Sequence, residues 1–230
     1  KLIQSKRKLI SLLGEQKQAI AHHIITDGCN SNTCSFPVRA VLRPIKRVGF
    51  PGKVLLSLFR EYGVVPKESR ENKNVDVRDL SLCQLVQPND IVMNKMKAWQ
   101  GSIAVSSLEG IVSPDYMVLK LVNDHVRPQY LHYVLRQPTM VAEYRKAAYG
   151  VRPGQWRLMY PEFGRLRLPV PSIEKQMEII GRIECETRNA DLAIARAQRE
   201  IALVQEFHKT LTVAIVTGKL NVTTAASEMR

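Results

Sequence analysis

Apolar residues recur on a seven-residue repeat across residues 172–217. Ile173, Ile180, Thr187, Ile194, Ile201, His208 and Ile215 form one column, and Ile183, Ala190, Ala197, Val204 and Leu211 form a second. That spacing is the seam of a coiled coil. Ser172 after Pro171 supplies an N-cap with Glu174 in the first turn, no proline interrupts the run, and Gly218 offers a left-handed stop. At about 1.5 Å per residue such a helix extends roughly 69 Å. Its stripe is too long to be buried by a small domain alone, so it requires a second helix.

That second helix is written at the other end of the chain. Shifting residues 1–30 by 191 positions aligns Ile3 with Ile194, Ile10 with Ile201, Leu12 with Leu203, Glu15 with Glu206, Ile24 with Ile215 and Thr26 with Thr217, while Leu13 meets Val204 and Ile25 meets Val216. The two helices read as copies. They are expected to pair antiparallel, Ile3, Ile10, Leu13, Ile20 and Ile24 packing on Ile180, Ile183, Ile194, Ile201, Val204, Leu211 and Ile215. The first helix starts at a lysine in mid-repeat, so the sequence reads as part of a longer domain–helix–domain–helix chain.

Between the helices the period changes. Residues 38–47, 54–58, 80–86, 91–93, 102–107 and 116–121 read as strands. Pro128 opens a helix whose apolar face is Tyr130, Leu131, Val134 and Leu135, and a second helix follows over 139–147 after the break at Pro138. Residues 150–160 read as a loop and 166–171 as an extended lead into the long helix. Strands and helices do not alternate strictly, which gives an α+β class: one mixed α/β domain with a long antiparallel two-helix coiled coil formed by the terminal segments. The expected boundaries are helix 1–28, domain 29–171, helix 172–218 and a flexible tail 219–230.

Charge divides along the same lines. Residues 31–170 carry 21 Lys+Arg against 11 Asp+Glu, whereas residues 171–230 carry 8 of each. A basic domain beside a neutral rod favours a polyanion for the domain and a protein for the rod. Neither a basic amphipathic helix nor an apolar run of about 18 residues points to a membrane. Four cysteines without a paired framework fit a reducing, cytoplasmic setting. Cys29 and Cys34 lie near His22 and His23, but no second pair with ligand spacing follows, and no metal site is expected.

Two stretches combine cations, an amide and a tryptophan: residues 94–100 (NKMKAWQ) and 152–157 (RPGQWR). Lysine and arginine suit phosphates and guanine edges, and glutamine suits adenine. Lys95, Lys97, Gln100, Arg152, Gln155 and Arg157 are therefore candidate DNA contacts, with Arg43, Lys46, Arg47, Arg60 and Tyr62 as lesser ones. Trp99 and Trp156 read as core anchors. Evidence for chemistry within the chain is thin. Ser113-Pro114-Asp115-Tyr116 resembles a base-holding methyltransferase loop only faintly, and no glycine-rich turn for a methyl donor exists. Glu143-x-Arg145 lacks the lysine of a metal-dependent nuclease, Glu71-x-Lys73 sits on a charged loop, and His125, His132 and Cys83 lack triad spacing.

The arrangement of a basic α/β domain and a repeated seven-residue helix resembles the specificity subunits of type I restriction-modification systems. The distinctive segments are GKVLLSLFREYGVVP at 52–66, NKMKAWQG at 94–101, GIVSPDY at 110–116, GVRPGQWR at 150–157 and LPVPSIEKQ at 168–176. The resemblance implies a target-recognition domain that reads one half of a split double-stranded DNA site, with the helices as spacer and as dock for methyltransferase subunits. A translocating restriction subunit adds later. S-adenosylmethionine, ATP and Mg would then belong to the partner subunits, leaving this chain without catalytic residues, cofactor or metal. Only one recognition domain is present, which fits either the second half of a longer subunit or a half-subunit that dimerises. A rod of roughly 69 Å matches about 20 base pairs at 3.4 Å each. The rival readings are a coiled-coil adaptor whose basic domain binds RNA or protein, and a DNA adenine methyltransferase domain.

Overall fold

A computed structural model describes residues 1–29, 33–60, 62–69, 79–150 and 156–218. In chain order the elements are α1 (Leu2–Gly28), β1 (Ser35–Pro37), a helical turn α2 (Val38–Val41), β2 (Leu42–Ile45), β3 (Leu56–Phe59), β4 (Gly63–Pro66), β5 (Gln84–Val86), β6 (Ile91–Asn94), β7 (Ile103–Val105), β8 (Gly110–Val112), β9 (Tyr116–Leu121), α3 (Pro128–Val134), α4 (Pro138–Ala147), a short α5 (Tyr160–Phe163), β10 (Arg167–Pro169) and α6 (Ile173–Val216). They form two compact units, residues 18–185 and residues 1–17 with 186–230.

The larger unit is built on an antiparallel four-stranded sheet in the order β2-β9-β6-β7. Both faces of this sheet are covered. Ile91, Met93, Ile103 and Leu119 point into a cluster with Ala21, Ile24 and Ile25 of α1, Tyr130, Leu131, Val134 and Leu135, Tyr144 of α4, and Ile179 and Ile183 of α6. Val92, Ala104 and Val118, one residue out of phase, point the other way into a cluster with Leu56, Leu58, Val64, Val86 and Val112. Those partners come from the pairs β3-β4 and β5-β8. Double burial explains why Ile91, Val92 and Met93 of β6 are all apolar instead of alternating with polar residues.

The strand expected over 38–47 is divided. Val38–Val41 makes one helical turn, and only Leu42–Ile45 is extended. β1 with Pro37 feeds the turn, whose start is fixed by Val38 N–H donating to Leu166 O at 2.8 Å. Pro44 is tolerated because β2 is an edge strand. Residues 80–82 likewise form a 3-10 turn, with Asp79 accepting from Ser81 N–H, before β5 begins. Four elements were not expected from the sequence: β1, β4, β8, and α5 with its buried Phe163. At Gly110, which opens β8, a Cβ would lie 2.5 Å from Val54 O, so only glycine fits that approach.

Gln176 secures the start of α6. The residue is fully buried. Its Oε1 accepts from Arg127 N–H at 2.8 Å, and its Nε2 donates to His125 O at 2.8 Å and Pro171 O at 2.9 Å. One carboxamide thus joins α6 to the lead-in of α3. Ser172 Oγ accepts from Lys175 N–H, as an N-cap should.

α1 and α6 pack together as an antiparallel pair. In the smaller unit Lys6 pairs with Glu200 and Lys17 with Asp191, while in the larger unit Gly28 approaches Ile179 so closely that a Cβ would meet its side chain at 2.7 Å. The register is constant, each pair of residue numbers adding to about 207. Ile10, Ile24, Ile183, Ala190 and Ala197 are buried, and Ile3, Leu13, Ile20, Ile180, Ile194, Ile201, Val204 and Leu211 are half-buried. The seam also takes in Ala21, Ile25 and Ile179, which the strict columns omit. Ile215 stays 41% exposed. With this register α1 faces no residue of α6 beyond about 206.

Candidate nucleic-acid interface

The turn between β6 and β7 is rigid for reasons written in its sequence. Asn94 Oδ1 accepts from Met96 N–H at 3.0 Å, the Trp99 indole N–H donates to Met96 O at 2.9 Å, and Ala98 is wholly buried. Gly101 closes the turn with φ +90°, a conformation costly for any residue with a Cβ. This places Lys97 and Gln100 on the exposed side.

The two tryptophan-bearing stretches come together. Trp99 and Trp156 meet with ring centroids 5.5 Å apart at an interplanar angle of 61°. Leu158 N–H donates to Lys95 O at 2.9 Å, and Tyr149 and Arg157 exchange backbone hydrogen bonds of 3.2 and 2.8 Å that close the neck of the intervening loop. Arg157 and Tyr149 are exposed at this neck, and Trp156 is half-buried. Arg152 and Gln155 lie outside the described residues.

Lys95 has an internal duty as well. Its Nζ donates to Pro114 O at 2.9 Å, fixing the β8–β9 turn against the β6–β7 turn. At that junction Tyr116 is opposite Asn94 in the sheet. Burial pushes the Tyr116 phenol above its ordinary range, while hydrogen bonds to the Leu58 backbone and the Asn94 side chain pull it back.

The remaining candidates divide. Arg60 is exposed on the β3–β4 turn, where its carbonyl accepts from the Arg136 guanidinium. Tyr62 is half-buried, its ring edge-on to Phe59. Arg43 is exposed on β2 directly opposite Lys120 of β9, two cations across one antiparallel pair. Like charges so placed repel, which an anion would relieve. Lys46 is exposed. Arg47 is engaged inward: its Nη1 donates to Asp90 Oδ2 at 2.7 Å, and Asp90, only 6% exposed, also accepts from Gln87 N–H. Sequence reasoning missed Arg136, just past the end of α3, and Arg145 on α4, whose spacing gives no local signal.

Among the described residues, no group of three or more His, Cys, Asp or Glu could hold a metal ion. Cys34 is exposed, and the Cys29 thiol lies 3.4 Å from the buried Tyr130 hydroxyl. Burial raises the Cys83 thiol above its usual range, away from the reactive thiolate. Among those residues, no helix is long and apolar enough to cross a membrane.

No protein-family model matches the sequence, and no curated protein matches it. Solved structures do. The fold, a mixed α/β domain joined to a long antiparallel helix pair, is that of the S subunits of type I restriction-modification systems. Similar chains include the type I restriction-modification S subunit from M. genitalium, with 13% identity, 91% of this chain and 54% of that chain covered, and a TM-score of 0.50. A second, from work on complex assembly and conformational transition of the type I R-M system, has 11% identity, 92% and 54% coverage, and a TM-score of 0.52. The HsdS subunit from Thermoanaerobacter tengcongensis has 13% identity, 89% and 54% coverage, and a TM-score of 0.48. The chain therefore spans about half the length of these relatives.

Proposed function

We propose that this chain is a sequence-specific DNA recognition subunit of a type I restriction-modification complex. It reads one half of a bipartite duplex target, carries no catalytic machinery of its own, works in the cytoplasm, and docks methyltransferase subunits, and through them the restriction subunit, along its helices. S-adenosylmethionine, ATP and Mg belong to those partners. The observation that carries this reading is the joining of two cation-bearing loops through Trp99 and Trp156 on a strongly basic domain. Phosphate contacts supply affinity there, and a few loop side chains supply discrimination of about 1–3 kcal/mol per bidentate base contact.

The other half of the target falls to a second recognition domain, in the same polypeptide or in a second copy. The internal repeat supports this. Ile215 and Val216 correspond to Ile24 and Ile25 at an offset of 191. Ile24 and Ile25 are 0% and 4% exposed in the core, whereas Ile215 and Val216 are 41% and 79% exposed. A second domain would cover them as this one covers their counterparts.

Selection from a randomised duplex pool tests the reading. Enrichment of one short motif is expected; retention of RNA or protein without any duplex motif would instead establish the adaptor function. Tight S-adenosylmethionine binding by the isolated chain would establish a methyltransferase domain.

A further inference from the structure

A cleft of about 170 Å³ opens on the larger unit, lined by Gln18, Arg60, Gly101, Arg136, Pro138 and Arg145 among others. Three guanidinium-bearing residues border it, and among the described residues no carboxylate does. The walls are held from behind. Arg136 donates to Arg60 O and so fixes the β3–β4 turn at the rim, and Arg145 Nε donates to Trp99 O at 3.3 Å, tying α4 to the β6–β7 turn. Pro138 begins the ten-residue α4, so the partial positive charge of a helix start adds to the arginines. Gly101, at φ +90°, keeps the floor low, since a Cβ there would crowd Val141 at 3.2 Å.

We propose that this cleft is a phosphoryl-binding site, in which Arg60 and Arg145 hold one phosphate group above the Gly101 turn. Cations gathered around one hollow repel until an anion enters, and the planar guanidinium fork matches two phosphate oxygens at once. The volume holds several waters at about 30 Å³ each, enough for one phosphate with part of its hydration. The phosphate has two possible sources, the backbone of a bound duplex or a free phosphate compound. The first source rests on the function proposed above, and the site itself does not.

The test uses the full chain with two probes, inorganic phosphate and a 20-base-pair duplex titrated between 50 and 200 mM salt. The variant is Arg60→Ala with Arg145→Ala; both side chains are exposed, and Arg136 is left to brace the turn. Should that pair fail to fold, Arg60→Gln alone preserves the carbonyl that Arg136 uses. Phosphate binding is expected to fall at least tenfold. If the source is DNA, the salt slope falls by about 1 as well, so the variant loses roughly 3.5-fold less affinity across that salt range than the wild type. Lost phosphate binding with an unchanged duplex slope assigns the site to a free phosphate compound. Lost phosphate binding in a chain that binds no duplex retains the site and removes the DNA-reading function. Phosphate binding and salt slope both equal to wild type overturn the site and leave that function standing.

Discussion

Trp99 and Trp156 meet edge to face at 5.5 Å, and this contact holds the neck of the 149–157 loop against the β6–β7 turn. Such a ring pair contributes about 0.5–1.5 kcal/mol beyond the area it buries. Trp156→Ala is expected to cost about 1–2 kcal/mol in urea unfolding and to remove the exciton couplet of the pair from the far-ultraviolet dichroism. It should also weaken duplex binding while Lys97 remains in place. Unchanged binding would detach the loop from the interface.

Lys97 and Arg47 should behave oppositely. Lys97→Ala, on the exposed face of the turn, is expected to lower the salt slope of duplex binding by about 1 and to leave stability unchanged within about 0.5 kcal/mol. Arg47→Ala strands the nearly buried Asp90 carboxylate, which should cost about 2 kcal/mol of stability. The affinity of the folded protein should not change. Denaturant melts beside salt-dependent binding curves separate the two.

Gln176 makes three hydrogen bonds from one buried carboxamide. Gln176→Leu leaves an N–H and two carbonyls unpaired, an expected loss of about 2–4 kcal/mol. Gln176→Glu should be worse, because the Nε2 donor becomes an oxygen facing the carbonyls of His125 and Pro171. Thermal melts that rank the glutamate variant above the leucine one would contradict this assignment.

Stability should fall in alkali. Burial raises the phenols of Tyr130 and Tyr144 far above the ordinary value of 10. The folded chain therefore keeps two protons that the unfolded chain releases above about pH 10. Their contribution is complete below that pH and declines above it by about 1.4 kcal/mol per pH unit for each tyrosine. Tyr144→Phe should make the decline shallower, as read from urea midpoints between pH 9 and 11.

The helix pair can be broken without the domain. Ile10 is 4% exposed in the smaller unit, and Ile10→Asp puts an unpaired charge into that seam. A loss of helical dichroism confined to an early thermal transition is expected, with the domain melting later. A single unchanged transition would argue against the seam as a separable interface.

Much of this protein could be read from periodicity alone. The columns running from Ile173 to Leu211, the matching set from Ile3 to Ile24, and the Tyr130–Leu135 face are local patterns, and helices bury local patterns. That the two tryptophan stretches share residue types was legible, but their meeting through Trp99 and Trp156 was not, because nothing local joins positions so far apart in the chain. The division of residues 38–47 was not legible, since strand propensity there was overruled by the Leu166 carbonyl that starts a helical turn at Val38. Neither the inward duty of Arg47 nor the arginine-lined cleft leaves a trace in the sequence. An arginine reads the same whether it meets solvent, Asp90 or an empty hollow. The sequence by itself determined the helix pair and the basic character of the domain, because those follow from spacing and composition. Only the tertiary structure decided which cations remain at the surface and which strands are covered on both faces. Such outcomes depend on partners far apart in the chain that only folding brings within hydrogen-bonding distance.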